Sequence, residues 1–339
     1  MLNTYREILQ QPEVLKWTAD LPSEVVYRAA GFIGQARDVY IVGSGSSFHA
    51  GLFGSYVFSE RNKTATFALT AGEFPYKTST LSGNDIVIAI SQSGEGHDII
   101  KAVLLAKSFG SKVLAITNTR DSSLVHHADE VLYTPAGVEK GILATKTMTS
   151  SMAVFIMLSY ALSEDFGSGE TMLRNISSSV NNLIRSSSRL RVQKLCKELK
   201  DHKKFFVIGR NVDVVSALET ALKLQEGAHV MAEGFSGSDF EHGPISMIEE
   251  NSPLISFMSN DGAEKETLGN IIDVEQFGAQ IIGIGPKPFN IYNRFFIVED
   301  FGLFSPIISV VYGQLLAYFL AEAKGLNLDQ PQNLTKIIA

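Results

Sequence analysis

The sequence predicts an α/β fold in which one parallel-sheet unit occurs twice. Two observations carry that expectation. Short apolar runs at 39–42, 86–90 and 113–116 alternate with stretches of helical periodicity, the order that builds a parallel sheet covered by helices. The same order then returns about 166 residues further on. Val39-Tyr40-Ile41-Val42-Gly43 is matched by Phe205-Phe206-Val207-Ile208-Gly209, residues 86–90 by 253–258, and Val113-Leu114-Ala115-Ile116 by 280–284. A single recurrence at that spacing is a duplicated unit rather than a short-period solenoid.

Taken in order, residues 1–30 are expected to form an N-terminal helical segment, 31–170 the first unit, and 195–339 the second unit with a C-terminal tail. The stretch 163–191 is polar and serine-rich at 177–188, which puts the junction near 170–195 and leaves part of it free to be helical. Residues 301–321 contain no charged side chain and are long enough to cross a bilayer. They also contain Gly302, Pro306, Gly313 and Gln314 and run into Glu322-Ala323-Lys324, so we read a buried core helix and expect no membrane partner.

Composition narrows the function classes. The chain has 339 residues, 45% of them hydrophobic and 19% charged, with a mean hydropathy of +0.10. That is enough material for about two domains with substantial cores. A net charge of −7 and a pI near 5.6 leave no basic stripe, so no nucleic-acid partner is expected. One cysteine, Cys196, excludes an intramolecular disulfide; with a polar N-terminus lacking a secretory apolar region, it points to a reducing, cytoplasmic setting. The seven histidines (49, 97, 126, 127, 202, 229, 242) form no H-E-x-x-H pattern, and no metal or cofactor is expected.

Chemistry is expected just beyond the carboxyl ends of the strands. After the run at 86–90 comes Ser91-Gln92-Ser93-Gly94-Glu95-Gly96-His97-Asp98, followed by a helical stretch at 99–106. A strand, a tight turn and a helix start present unpaired N–H groups and the positive end of a helix dipole, which suits a phosphate. Hydroxyls at Ser91 and Ser93 add donors, and the glycines allow close backbone approach. No G-x-x-x-x-G-K-[ST] pattern is present, which argues against a nucleoside triphosphate. The turn after the first strand, Gly43-Ser44-Gly45-Ser46-Ser47, has the same character and could clamp the same phosphate. The matching turns of the second half, Gly209-Arg210-Asn211 and Ser259-Asn260-Asp261, do not, so one phosphate site per chain is expected.

Five motifs in order resemble the SIS (sugar isomerase) family, and within it the isomerase half of the glutamine-dependent synthases that form glucosamine 6-phosphate. They are Gly43–Ser47 as printed above, Ser91-Gln92-Ser93-Gly94-Glu95, Glu139-Lys140-Gly141-Ile142-Leu143-Ala144-Thr145-Lys146, the block from Ala217-Leu218-Glu219 through Glu226 and Glu233 to Glu241-His242-Gly243-Pro244, and Asp329-Gln330-Pro331-Gln332-Asn333-Leu334-Thr335-Lys336. The resemblance implies two tandem flavodoxin-like three-layer αβα units with parallel sheets. It implies sugar-phosphate contacts from Ser46, Ser47, Ser91, Gln92, Ser93, Gly96 and Ala144. It also implies a proton-transferring base at Glu226, ring opening by His242 lent across a homodimer interface, and assistance from Lys223 and Lys336. An aldose–ketose shift needs a carboxylate that takes a proton beside a carbonyl and returns it one carbon along. Read alone, Lys223 and Glu226 at i, i+3 are what a surface helix carries, and Lys336 is a solvated tail residue.

Three positions depart from the family pattern: Gly96 stands for a threonine, Ala144 for a serine and Glu241 for a lysine. Residue 2 is Leu2 rather than the cysteine of a glutaminase domain, so glutamine hydrolysis by that route is not expected. The resemblance therefore implies a glucosamine-6-phosphate deaminase, with a fructosyl-amino-acid 6-phosphate deglycase or a plain ketose/aldose phosphate isomerase as alternatives. A non-catalytic sugar-phosphate sensor is a further alternative, disfavoured by the short N-terminal segment and the acidic charge.

Overall fold

The computed structural model describes residues 2–336. They form two compact units. The first comprises Gln10–Lys140, Ala144–Ser177 and, at the end of the described chain, Thr335 and Lys336. The second comprises residues up to Leu9, Gly141–Leu143 and Ser178–Leu334. The chain opens with helices α1 (Asn3–Ala19) and α2 (Ser23–Ile33).

In the first unit, β1 (Val39–Gly43), α3 (Ser46–Asn62), β2 (Thr66–Thr70), β3 (Ile86–Ser91), α4 (His97–Ser108), β4 (Lys112–Thr117), α5 (Ser123–His127), β5 (Glu130–Tyr133) and α6 (Lys146–Leu162) follow one another. Every strand pair is parallel, and the sheet order is β2-β1-β3-β4-β5. Helices cover both faces of a parallel sheet, so its central strands need apolar residues at every position rather than alternating ones. All five residues of β1 are buried, as are residues 86–90 of β3 and 113–117 of β4. The outer strands β2 and β5 are only partly buried and read weakly in the sequence for that reason.

The polar stretch between the sheets is helical: α7 (Phe166–Arg185) and α8 (Ser187–Leu199). An amphipathic helix can be polar on average and still bury one face; here Leu173, Ile176 and Val180 are fully buried.

The second unit repeats the architecture with β6 (Lys204–Gly209), α9 (Val214–Ala228), β7 (Met231–Ser236), α10 (Gly237–Glu241), β8 (Pro253–Phe257), α11 (Glu264–Glu275), β9 (Gln280–Gly285), β10 (Arg294–Ile297) and α12 (Pro306–Ala323). Its order, β10-β9-β8-β6-β7, is again parallel throughout and matches the first sheet strand for strand. The apolar stretch ending at Ala323 is a core helix, with 94% of its most apolar window buried. Gly313 lets α12 come against α9, since a Cβ there would lie 2.1 Å from Thr220 Oγ1. That contact fixes the helix bearing Lys223 and Glu226.

Candidate active site

In the first unit a small cleft opens at the carboxyl ends of the strands. Its wall combines Ser46 and Ser47 at the start of α3, Ser91 and Gln92 at the end of β3, and Thr117 and Asn118 at the end of β4. It is completed by Thr134 past β5 and by Ala144, Thr147 and Ser151 around the start of α6, with Ile116 and Met148 as apolar surface. The strand order reverses between β1 and β3, the position where open α/β sheets bind ligands. Seven hydroxyls and no carboxylate or ammonium line the cleft. An anion here would be held by neutral donors and by the positive ends of α3 and α6.

The turn after β3 is held by its own hydrogen bonds. Ser91 Oγ accepts the Gly94 N–H at 3.0 Å, Gly94 O accepts the Leu124 N–H at 2.9 Å, and Thr119 Oγ1 donates to Gln92 O at 3.0 Å. Gly94 has φ +70°, and a Cβ on it would stand 2.2 Å from Ser122 Oγ, so only glycine fits. Glu95 points away to accept from Ser123 N and Oγ at 2.9 and 2.7 Å; those bonds hold its carboxyl below the usual range.

Behind the cleft wall lies a buried carboxylate, Glu139, bonded to Thr145, Thr147 and Lys336. Lys336 is therefore not a solvated tail residue: its side chain is one quarter exposed and its Nζ is 3.0 Å from Glu139 Oε2.

In the second unit, α9 carries three charged residues one turn apart. The Lys223 side chain is 1% exposed, with Nζ 3.5 Å from Glu219 Oε1 and hydrogen-bonded to Glu226 Oε2. The spacing alone reads as a surface pair; the structure buries it, because Glu219 is fully enclosed and only Glu226, at 20%, reaches the surface. A buried ammonium requires such partners to replace its lost hydration. Glu226 is thus a carboxylate held by a fixed cation yet accessible on one side. His242 caps α10 and is exposed, its N–H bonded to Asp239 O at 3.1 Å. Glu241 beside it accepts from Asn270 Nδ2.

The structure brings Ser46, Ser47, Ser91, Gln92 and Ala144 into one cleft. Ser93 and Gly96 are not part of that wall: Ser93 Oγ takes the Glu95 N–H at 3.3 Å, and Gly96 caps α4. Thr117, Asn118, Thr134, Thr147 and Ser151 were missed in the sequence. Thr117 and Asn118 could have been found by extending the strand-end rule to β4. Thr134, Thr147 and Ser151 carry no comparable pattern. Glu139 and Glu219 lie inside the quoted motifs, but nothing in the sequence tells that they are buried. Among the described residues, no three His, Cys, Asp or Glu side chains gather into a metal-holding group.

Two parallel five-stranded units in tandem, with a hydroxyl-lined cleft in the first, define a tandem sugar-isomerase architecture. The sequence matches the SIS domain over residues 32–161 and again over 198–318, and the chain belongs to that family as a phosphosugar isomerase-type enzyme. It is 34% identical over 342 residues to a glutamine–fructose-6-phosphate aminotransferase (isomerizing) of Pyrobaculum aerophilum, covering 98% of this chain and 56% of the relative. The enzyme of the same name from Thermococcus kodakarensis is 34% identical over 347 residues, covering 98% and 57%. The chain thus spans somewhat more than half the length of these relatives. The C-terminal domain of the Francisella tularensis aminotransferase superposes with a TM-score of 0.89 at 25% identity, covering 97% of this chain and 98% of that domain. A glucosamine-6-phosphate deaminase from Thermotoga maritima shares the fold, with a TM-score of 0.80 at 23% identity and 99% coverage of each chain.

Proposed function

We propose that this enzyme converts glucosamine 6-phosphate to fructose 6-phosphate and ammonia. The observation that carries the reading is the α9 set: a buried ammonium pinning a partly accessible carboxylate, in a chain whose other unit has an anion cleft. The motif likeness to glucosamine-forming relatives supports the substrate, since deamination is the reverse of amination.

The phosphate is held by Ser46, Ser47, Ser91 and Gln92, with the helix starts favouring its charge. His242, contributed by a second copy in a homodimer, opens the sugar ring. Glu226 then takes the proton from C2 of the open-chain amino aldehyde and delivers it to C1 through an enolamine. The resulting imine at C2 is hydrolysed by water, leaving the ketone and ammonia. Lys223 holds the Glu226 carboxylate in place through their ion pair, and Lys336 assists at the sugar oxygens.

An ammonia-release assay on glucosamine 6-phosphate, run beside a fructosyl-amino-acid 6-phosphate and a ketose 6-phosphate, tests the proposal. Ammonia from the first with a matching yield of fructose 6-phosphate is expected. Turnover of only the second would replace the deaminase by a deglycase, and turnover of only the third by a plain isomerase.

A further inference from the structure

The Glu139 carboxylate has no role in the chemistry above, yet it is among the most heavily coordinated groups in the first unit. Its side chain is fully buried. Oε1 accepts from Thr145 N at 2.9 Å, Thr145 Oγ1 at 3.2 Å and Thr147 N at 3.3 Å, while Oε2 accepts from Thr147 Oγ1 at 2.7 Å and Lys336 Nζ at 3.0 Å. Two of these donors are backbone N–H groups at the start of α6, whose N-cap, Thr145, makes no capping bond with its own side chain. Glu139 therefore caps α6 from six residues upstream. It does so on the part of the chain that supplies Ala144 and Thr147 to the cleft wall.

A carboxylate removed from water is stable only where donors and a cation replace the lost hydration. Here both sources are functional elements: the helix start that shapes the cleft, and the tail lysine. A neutral side chain at 139 could still cap α6, but it would offer the ammonium a neutral acceptor in place of a counter-charge, a weaker hold. We propose that Glu139 is a positioning residue, a single buried carboxylate that fixes the cleft wall at Thr147 and the Lys336 ammonium relative to one another. This deepens the function proposed above and rests on it only for the part Lys336 plays in turnover.

The test uses the full chain and the variant Glu139→Gln, which keeps an acceptor for the α6 N–H groups and removes the charge. Brief labelling with acetic anhydride, read lysine by lysine by mass spectrometry, is expected to be at least about threefold faster at Lys336 than in the parent, with exposed Lys101 unchanged. On glucosamine 6-phosphate, kcat is expected to fall about tenfold or more while KM stays within about threefold. Glu139→Asp, which restores the charge on a shorter arm, recovers part of both effects. If buried Lys146 and Lys223 also label faster in Glu139→Gln, the fold has loosened, and Glu139→Asp decides. Lys336 labelling at the parental rate in both variants overturns the proposal. Faster Lys336 labelling in a protein that turns over no sugar phosphate upholds the positioning role and removes the deaminase reading instead.

Discussion

Ser259 Oγ donates a 3.0 Å hydrogen bond to Asp213 Oδ1 at the point of the second sheet that corresponds to the hydroxyl-lined cleft of the first. Both residues follow the strands, β6 and β8, between which the strand order reverses. The first copy leaves this place lined with hydroxyls; the second fills it with its own carboxyl group, 1% exposed. That contact makes the two copies chemically different at the same point of the sheet.

Burial, with like-charge repulsion from Asp261, pushes the Asp213 carboxyl up to about 7, against the favourable side-chain and backbone bonds from Ser259. A group whose pKa is raised on folding binds its proton more tightly in the native state. The native state therefore carries more protons than the unfolded chain between about pH 4 and pH 7, and stability falls as pH rises through that window. The full cost above pH 7 is roughly 4 kcal/mol. Asp213→Asn keeps an acceptor for Ser259 and removes the titration. Its melting temperature should exceed the parent's at pH 8 and come close to it at pH 5; equal differences at both values would contradict the assignment.

Ser91 lies in the cleft wall and Ser93 does not, so the two serines of one motif should separate in binding experiments. Ser91→Ala removes a ligand donor together with the acceptor for Gly94 N–H, and should weaken fructose 6-phosphate binding by about 1–2 kcal/mol, or roughly 5- to 30-fold. Ser93→Ala should weaken it less. Titration calorimetry on both variants checks the order, and a larger loss for Ser93→Ala would reverse it.

Gly94→Ala should be the most damaging single change in this turn. The added methyl meets Ser122 Oγ at 2.2 Å, and the φ of +70° disfavours any L side chain. A destabilisation of about 1–3 kcal/mol with loss of sugar-phosphate binding is expected from the strain and the displaced turn. Thermal melts and calorimetry together read it; an unchanged melt with normal binding would show that the turn tolerates a side chain.

The central strands were legible because parallel sheets buried on both faces demand unbroken apolar runs, and both copies supplied them. Edge strands β2, β5, β7 and β10 were not, since half-buried segments such as Thr66–Thr70 mix polar and apolar residues without a clean period. The polar junction concealed α7 and α8 because one buried stripe suffices for a helix. Within the site, Ser46, Ser47, Ser91, Gln92 and Ala144 were readable from turn chemistry and motif. The burial of Lys223 and the anchoring of Lys336 on Glu139 depend on contacts between residues up to about 200 positions apart in sequence, which no local pattern reports.

The claim on which the account turns is that the accessible carboxylate on α9 moves the proton between C2 and C1. Glu226→Gln keeps the shape and a hydrogen-bonding oxygen for Lys223 while removing the base. Steady-state ammonia release from glucosamine 6-phosphate, measured with binding of the same sugar by calorimetry, tests it most directly. The account predicts loss of turnover by about a thousandfold or more with affinity nearly unchanged; ammonia release near the parental rate would contradict it.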